Sequence, residues 1–317
     1  MNVPVFDLHC DTAYALLGSD CNSVGSLCKN ELHIDLERAA KLEGYAQCFA
    51  CFTTPMMEQW HKVSPITVFE RELATLQREI DKNKRRIALA YSAADVGSNL
   101  EKGKASAVLT LEGTAGFGYD PALLEDLYMI GFRMVTLTWN EQNPLAGSWK
   151  TGGGLTDQGR AFVEEAQRVG MIVDVSHISD EAFWDVMKIT RAPVVASHSN
   201  SRAVYHAGRN LTDDMFLELC RNGGVAGLNL YANFVGDNPS VDTACDHILH
   251  FLELDPQAEH LALGGDLDGC DPLVDGFTGI ESYPGFADRL LERGVTEPMI
   301  RNIFWNNALG VMERCCI

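Results

Sequence analysis

The chain has 317 residues, of which 46% are hydrophobic, so it is long enough to bury a large core. With 25 Lys and Arg against 44 Asp and Glu, its formal charge of −19 argues against electrostatic binding of nucleic acids or anionic membranes. Without an apolar run of the ~20 residues that span a membrane, or the basic start and apolar core of a signal peptide, the sequence predicts a soluble cytoplasmic protein.

Short β-rich runs recur along the chain and alternate with helical patterns. In chain order, the strand candidates are VPVFDLHC, YAQCFACFT, SAVLTLEG, FRMVTLTW, GMIVDVSH, PVVASHS, GGVAGLNLY and HLALGGDLDG. Helical patterns over 156–170, 179–190 and 212–223 each open on a Thr or Ser N-cap. Apolar strands that alternate with helices predict a parallel sheet, and eight such units favour a closed (β/α)8 TIM barrel.

The sequence contains no repeat, linker or nucleotide-binding glycine motif that would favour another architecture. We therefore expect one domain over 1–317. The five histidines His33, His61, His247, His250 and His260 lie away from the strand ends, and we interpret them as surface or structural residues. Cys48 and Cys51 form a C-x-x-C, but they are three positions apart on an extended run, which turns them to opposite faces and argues against redox chemistry.

Ionisable residues recur where the predicted strands end: His9, Asp11, Glu112, His177, His198, Asp266 and Asp268. In a parallel barrel the carboxyl ends of the strands meet at one face, so these side chains should converge. Each has a plain structural interpretation, as a hydrogen-bonded histidine or an N-cap carboxylate. Their coincidence at five of eight strands favours a metal site instead, because burying so many charges without a cation is costly.

The first strand carries the clearest pattern. His9 and Asp11 are two residues apart and should point the same way, with Cα atoms ~6 to 7 Å apart, which suits shared ligation of zinc or a similar ion. Strict alternation predicts that Phe6, Leu8 and Cys10 face the helices, while Asp7 joins His9 and Asp11 on the barrel axis. A shared carboxylate such as Glu112 could bridge two ions ~3.5 to 4 Å apart.

These motifs together resemble the membrane (renal) dipeptidase family, which are metallopeptidases of the amidohydrolase superfamily. The resemblance covers nearly the whole chain, through DLHCDT at 7–12, LEG at 111–113, GGDLDG at 264–269 and the segments 152–177, 197–215 and 283–294. It implies hydrolysis of L-X or L-D dipeptides at a dinuclear zinc centre, with another divalent metal left open. Dimers occur in the family, so the resemblance also leaves a homodimer open.

The resemblance implies a role for each matched residue. His9 and Asp11 would hold one ion, His177 and His198 the other, and Glu112 would bridge them. Asp266 matches the catalytic acid/base, Asp268 a supporting residue, and Arg209 the residue that pairs with the C-terminal carboxylate of the substrate. Two cations would lower the pKa of a bridging water, Asp266 could shuttle its proton, and a guanidinium suits a carboxylate.

One position departs from the family pattern. Trp139, in VTLTWNEQ, stands where animal members carry a histidine that is thought to stabilise the oxyanion. Trp139 could donate an indole N–H, line a differently shaped substrate pocket, or simply pack, and His206 could supply the missing imidazole. The alternatives to a dipeptidase are hydrolysis of another small amide, ester or lactone at the same centre, and a barrel that binds without catalysis.

Overall fold

A parallel β-barrel forms the centre of the computed structural model, which describes residues 1–18, 21 and 25–316. The strands are β1 Val5–Cys10, β2 Tyr45–Phe52, β3 Ile87–Leu89, β4 Ala105–Glu112, β5 Phe132–Thr136, β6 Ile172–Asp174, β7 Val194–Ala196, β8 Val225–Leu228 and β9 Leu261–Leu263. Pairing of β1 with both β2 and β9, and of β2 with β4, closes the ring. The short β3 lies beside the first residues of β4.

The ring therefore contains eight strands, and each of the eight predicted runs supplies one of them. All neighbouring pairs in the ring are parallel. The prediction of a (β/α)8 barrel is confirmed. The helices are α1 Thr12–Ala15, α2 Leu36–Ala39, α3 Met57–His61, α4 Pro65–Lys82, α5 Ala93–Glu101, α6 Leu124–Ile130, α7 Asp157–Val169, α8 Asp180–Ile189, α9 Asp213–Asn222, α10 Ala232–Val235, α11 Val241–Leu254, α12 Tyr283–Glu292, α13 Glu297–Arg301 and α14 Asn307–Cys315.

The predicted helix boundaries follow from capping. The side chains of Thr156, Ser179 and Thr212 each accept a hydrogen bond from the backbone N–H three residues later, at the starts of α7, α8 and α9. Gly170 and Gly223 end α7 and α9 in the left-handed conformation, which glycine adopts without steric cost. None of the helices in the described part of the chain is both long and apolar enough to cross a membrane.

Two apolar layers stabilise the barrel. The outer layer packs the strands against the surrounding helices, and its largest fully buried side chains include Phe49, Phe132 and Phe162. The inner layer gathers residues from the eight ring strands around the carboxyl-terminal helix α14 and the helical turn Asn302–Asn306 before it, where the rings of Phe6 and Trp305 lie 5.8 Å apart. Because apolar residues fill this end, polar side chains collect at the opposite, carboxyl end of the strands.

The predicted alternation along β1 is wrong for part of the strand. Phe6 and Leu8 belong to the inner apolar layer, whereas Asp7 accepts hydrogen bonds from the Tyr283 hydroxyl of α12 and from the side chain of Gln47. The pairing register with β2 shifts between Asp7 and Cys10. This irregularity changes the phase of the strand, as a β-bulge does, so that His9 turns inward although Asp7 does not.

The cysteines behave as predicted. Cys48 lies in the inner apolar layer and Cys51 in the outer layer, so the two thiols are on opposite faces of β2. Among the described residues, the nine cysteines other than Cys21 form no disulfide. Burial raises the pKa of both the Cys48 and the Cys51 thiol well above the ordinary value, which keeps them protonated and unreactive.

Candidate metal centre

Six of the predicted site residues converge at the carboxyl end of the barrel and are buried there. His9 lies on β1 and Glu112 is the last residue of β4, while the others lie one to three residues after the ends of β1, β6, β7 and β9. The six are His9, Asp11, Glu112, His177, His198 and Asp266. These side chains therefore lie together at the ends of the strands.

The Glu112 carboxylate lies between the histidines, with its two oxygens turned in different directions. Oε1 is 3.0 Å from His177 Nε2 and 3.6 Å from His198 Nε2. Oε2 is 3.4 Å from His9 Nε2, which in turn is 3.3 Å from Asp11 Oδ2 and 3.9 Å from Asp266 Oδ1. One carboxylate therefore faces a His–Asp pair on one side and a His–His pair on the other.

Hydrogen bonds orient the two histidines that face Oε1. His198 Nδ1 is 2.7 Å from Ser197 Oγ, and that hydroxyl donates to Asp174 Oδ2 at 2.6 Å. His177 Nδ1 is 3.3 Å from Asn140 Oδ1. With each Nδ1 engaged, the Nε2 atoms face each other at 2.9 Å and are available as ligands.

The sequence does not predict the residues that hold the cluster in place by hydrogen bonds, Asp174 and Asn229. Asp174 is fully buried on β6 and accepts from Thr136, the Ser176 and Ser197 backbone amides and the Ser197 hydroxyl. Asn229, after β8, donates to Asp266 Oδ2 at 3.0 Å. The one available signal was the carboxylate of Asp174 inside the otherwise apolar run IVDV.

The electrostatics of the cluster reflect several acids buried close together. Burial, opposed in part by His9, raises the pKa of Glu112 to about 8, and burial also raises the pKa of Asp266. Burial by itself would lower the pKa of His9, but the Glu112 and Asp11 carboxylates raise it well above the ordinary value. Burial lowers the pKa of both His177 and His198 well below the ordinary value, which favours the neutral, metal-ligating form.

The donor set fits divalent cations. Imidazole and carboxylate groups are zinc ligands, and the ligand atoms of His9, Glu112 and His198 all lie within 4.8 Å of one another, as do those of His9, Asp11 and Asp266. Asp11 Oδ1 is buried with no hydrogen-bond partner among the described residues. A buried, unpartnered carboxylate oxygen is costly, and a cation beside it would remove that cost.

At two glycines of the sequence motifs, Gly269 and Gly113, a larger side chain would clash with neighbouring atoms. A Cβ at Gly269 would lie 2.0 Å from Asp11 Oδ2 and 2.7 Å from Asp266 Oδ1. Gly113, directly after Glu112, has a φ of +69°, and a Cβ there would lie 2.2 Å from the Thr53 carbonyl oxygen. Gly269 therefore lets the backbone approach the carboxylate cluster closely, whereas Gly113 lets the backbone after Glu112 pass close to that of Thr53.

A cavity of about 560 Å³ opens above the cluster, which is within the usual size range of small-molecule sites. Six aromatic residues contribute to its walls: Tyr14, Phe52, Trp139, Trp149, Tyr231 and Phe234. Trp139 packs edge-on against Phe52 and Trp60, at ring-centroid distances of 5.0 and 5.7 Å, and its ring lies 6.3 Å from that of His177. Trp139 therefore both packs and lines the cavity.

Three other predicted residues lie outside the cluster itself. Arg209 is buried, donates from Nη1 to Ser199 Oγ at 2.6 Å, and borders a smaller cavity beside His177. Burial lowers the pKa of Arg209 to about 10. Asp268 accepts from the Thr12 hydroxyl and the His33 amide, which suits the predicted supporting role, and His206 is exposed.

Comparison with known proteins gives a consistent family match. The model of the membrane dipeptidase family, peptidase family M19, matches residues 1–315. An uncharacterized dipeptidase of Schizosaccharomyces pombe is 33% identical over 215 residues, which cover 66% of this chain and 53% of that protein. Dipeptidase verJ of Clonostachys rogersoniana is 30% identical over 329 residues, which cover 98% of this chain and 84% of that protein.

A solved structure has the same fold. The metallopeptidase of Rhodobacter sphaeroides, liganded with a phosphinate mimic of the dipeptide L-Ala-D-Ala, has a TM-score of 0.88 and 25% sequence identity to this chain. The superposition covers 99% of this chain and 100% of that chain. The two chains therefore share the fold over nearly their whole length.

Proposed function

The chain belongs to the membrane dipeptidase family (peptidase family M19), a family of metallo-dipeptidases, and we propose that it hydrolyses dipeptides of the L-X or L-D type in the cavity above Glu112. The observation that carries the proposal is the division of the Glu112 carboxylate between two groups of ligands. The bound dipeptide mimic of the Rhodobacter sphaeroides relative supports the substrate class.

We assign two Zn²⁺ ions to the cluster. His9 and Asp11 would hold one ion and His177 and His198 the other, with Glu112 shared, because these residues lie on the two sides of its carboxylate. When bound, the ions polarise the scissile carbonyl and activate a water. Another divalent metal with a preference for nitrogen and oxygen ligands would fit the same donors.

Asp266 is the acid/base of the proposal. Its side chain borders the cavity, and Asn229 holds Oδ2 by a hydrogen bond, which leaves Oδ1 directed toward His9. From that position the carboxylate can take the proton of the attacking water and deliver it to the leaving amine. Arg209 is proposed to attract the C-terminal carboxylate of the dipeptide, and Trp139 to contact the substrate as part of the aromatic wall.

The test combines metal analysis with a substrate panel. We expect two equivalents of metal per chain and hydrolysis of L-Ala-L-Ala and L-Ala-D-Ala, with little hydrolysis of L-Ala-L-Ala-L-Ala. The Asp266→Asn variant should keep its metal and lose about 10²- to 10⁴-fold in kcat, because a general acid/base contributes that much. The Asp81→Asn variant, which changes an exposed carboxylate at the end of α4, is the matched control.

The same panel decides between the competing functions. A dipeptide rate no higher than that of metal-free protein, together with hydrolysis of a small ester or lactone, would favour the second candidate, in which Trp139 shapes a different pocket. Absence of any turnover with two metals bound would favour a binding protein. The homodimer and the cytoplasmic location remain predictions, which sedimentation and cell fractionation can test.

A further inference from the structure

Lys150 is the one basic residue at the cavity whose charge has no fixed partner. Among the described residues that line the cavity, it is the only Lys or Arg, whereas Asp11, Glu112, Asp266 and Asp271 are among the acidic ones. No ion pair of Lys150 occurs within residues 1–18, 21 and 25–316, and its side chain is exposed. Its ammonium is therefore available to a ligand in the cavity.

The backbone that carries Lys150 is fixed to the metal cluster. The Trp149 amide donates to the carbonyl oxygen of His177 at 2.9 Å, and the Trp149 indole donates to Asn140 Oδ1 at 2.7 Å. The Ser148 hydroxyl donates to the Asn140 carbonyl oxygen at 2.7 Å. These bonds tie residues 148–150 to the same Asn140 that contacts His177, so the lysine is held on the His177 side of the cavity.

The side chain of Lys150 also has a defined direction. Its Nζ lies 5.2 Å from the centroid of the Trp149 ring, which itself lines the cavity, so the ammonium rests on the cavity wall. Arg209 is on the same side but buried, and it contacts Ser199. A ligand in the main cavity consequently reaches the lysine before it reaches the guanidinium.

We propose that Lys150 is a specificity residue that binds a carboxylate of the substrate at the rim of the cavity. The proposal rests on the proposed dipeptidase function, since it concerns the substrate of that site. Two carboxylates have the required chemistry: the α-carboxylate of any dipeptide, and the side-chain carboxylate of a C-terminal Glu or Asp. An ammonium recognises either one as a point charge.

The experiment compares wild type with Lys150→Gln and Lys150→Arg. As the matched control, Lys84→Gln removes the same charge from the turn after α4, at the opposite end of the barrel. The substrates are L-Ala-L-Ala, L-Ala-L-Gln, L-Ala-L-Glu and L-alanyl-L-alaninamide. Each kcat/KM is measured at low and at 0.5 M salt, with metal content and melting temperature as checks that the variants are intact.

We expect Lys150→Gln to lower kcat/KM by about fivefold for a substrate whose carboxylate the lysine binds, because exposed ion pairs contribute up to about 1 kcal/mol. If only L-Ala-L-Glu loses this factor in Lys150→Gln, the lysine binds the side-chain carboxylate. If the three free acids lose it equally and the amide does not, it binds the α-carboxylate. In either case Lys150→Arg should retain most of the rate, and 0.5 M salt should reduce the effect through screening.

Equal rates in wild type and Lys150→Gln on all substrates, or an equal loss on the amide, would overturn the proposal. Ligand-observed NMR titrations of the same proteins with glutamate, glutamine, alanine and alaninamide give a readout that needs no turnover. If wild type cleaves no dipeptide, the proposed function fails, while these titrations still decide whether Lys150 prefers a carboxylate over the matching amide.

Discussion

The imidazole of His198 shows how a single buried residue can prepare a metal ligand. Ser197 Oγ donates its one proton to Asp174, so toward His198 Nδ1 it can act only as an acceptor, which fixes the proton on Nδ1 and leaves the Nε2 lone pair free. Thr136 donates to the same Asp174 oxygen at 2.6 Å without contacting the histidine. The chain thus offers two hydroxyls that donate to the same Asp174 oxygen, of which only Ser197 contacts His198.

We expect Ser197→Ala to weaken zinc binding by about 10- to 100-fold, because removing the partner of a ligating histidine has that typical cost. Thr136→Ala is the matched control, since it removes an equivalent hydrogen bond to Asp174 and should change the zinc dissociation constant little. Competition with a chromophoric chelator measures both constants, and melting temperatures verify folding. Equal weakening by the two substitutions would indicate a general effect on the barrel core.

At the scale of elements, a buried histidine joins helix α11 to the end of α10 and to the loop that follows β7. His247 Nε2 donates to the Val235 carbonyl oxygen at 2.9 Å, and Nδ1 accepts from the Ser201 amide at 3.1 Å. Both nitrogens are engaged only when the ring is neutral. Burial accordingly lowers the pKa of His247. The sequence predicted a surface or structural residue, and the structural interpretation is confirmed.

We expect His247 to make the free energy of unfolding depend on pH. Because its pKa is lower in the folded than in the unfolded chain, the unfolded chain binds more protons, so stability falls as the pH drops through ~6.5 toward the folded pKa. His247→Gln should be less stable at pH 7.5 but lose less free energy of unfolding between pH 7.5 and 5. His250→Gln, on the same helix beside Asp213, should keep the steeper decline. Urea unfolding at each pH measures the difference.

At the scale of the whole molecule, closure of the barrel buries several carboxyl groups close together at the metal cluster, which is energetically unfavourable. Without a cation, the pKa of Glu112 is about 8, so the carboxyl group is largely protonated at neutral pH, and binding of a metal must release that proton. Metal binding to the folded chain also raises its stability by mass action, by about 2.7 kcal/mol at a free concentration of 100 Kd.

We therefore expect a chelator to lower the melting temperature, and the difference between zinc-loaded and chelated protein to be larger at pH 8.5 than at pH 6. Calorimetric melting at the two pH values measures it. Glu112→Gln should lose most of the zinc-dependent shift, because it removes the shared charge. A shift independent of pH would contradict the coupling between metal and proton binding.

The sequence by itself determined the barrel and the members of the cluster. Apolar strands that alternate with capped helices fit few folds, and parallel strands place all their carboxyl ends at one face, so His9, Glu112 and His177 had to converge. The alternation of strand and helix patterns can be recognised from neighbouring residues alone, and it was sufficient to predict the barrel and the residues at its strand ends.

Only the tertiary structure decided which groups support and surround that cluster. The irregularity in β1 that turns Asp7 outward depends on pairing with β2, and the bond from Asn229 to Asp266 joins residues 37 positions apart. The position of Arg209 behind His177, and of Lys150 on the cavity wall, likewise follows from how the loops pack. Such contacts depend on distances between segments far apart in the chain, which no pattern of neighbouring residues encodes.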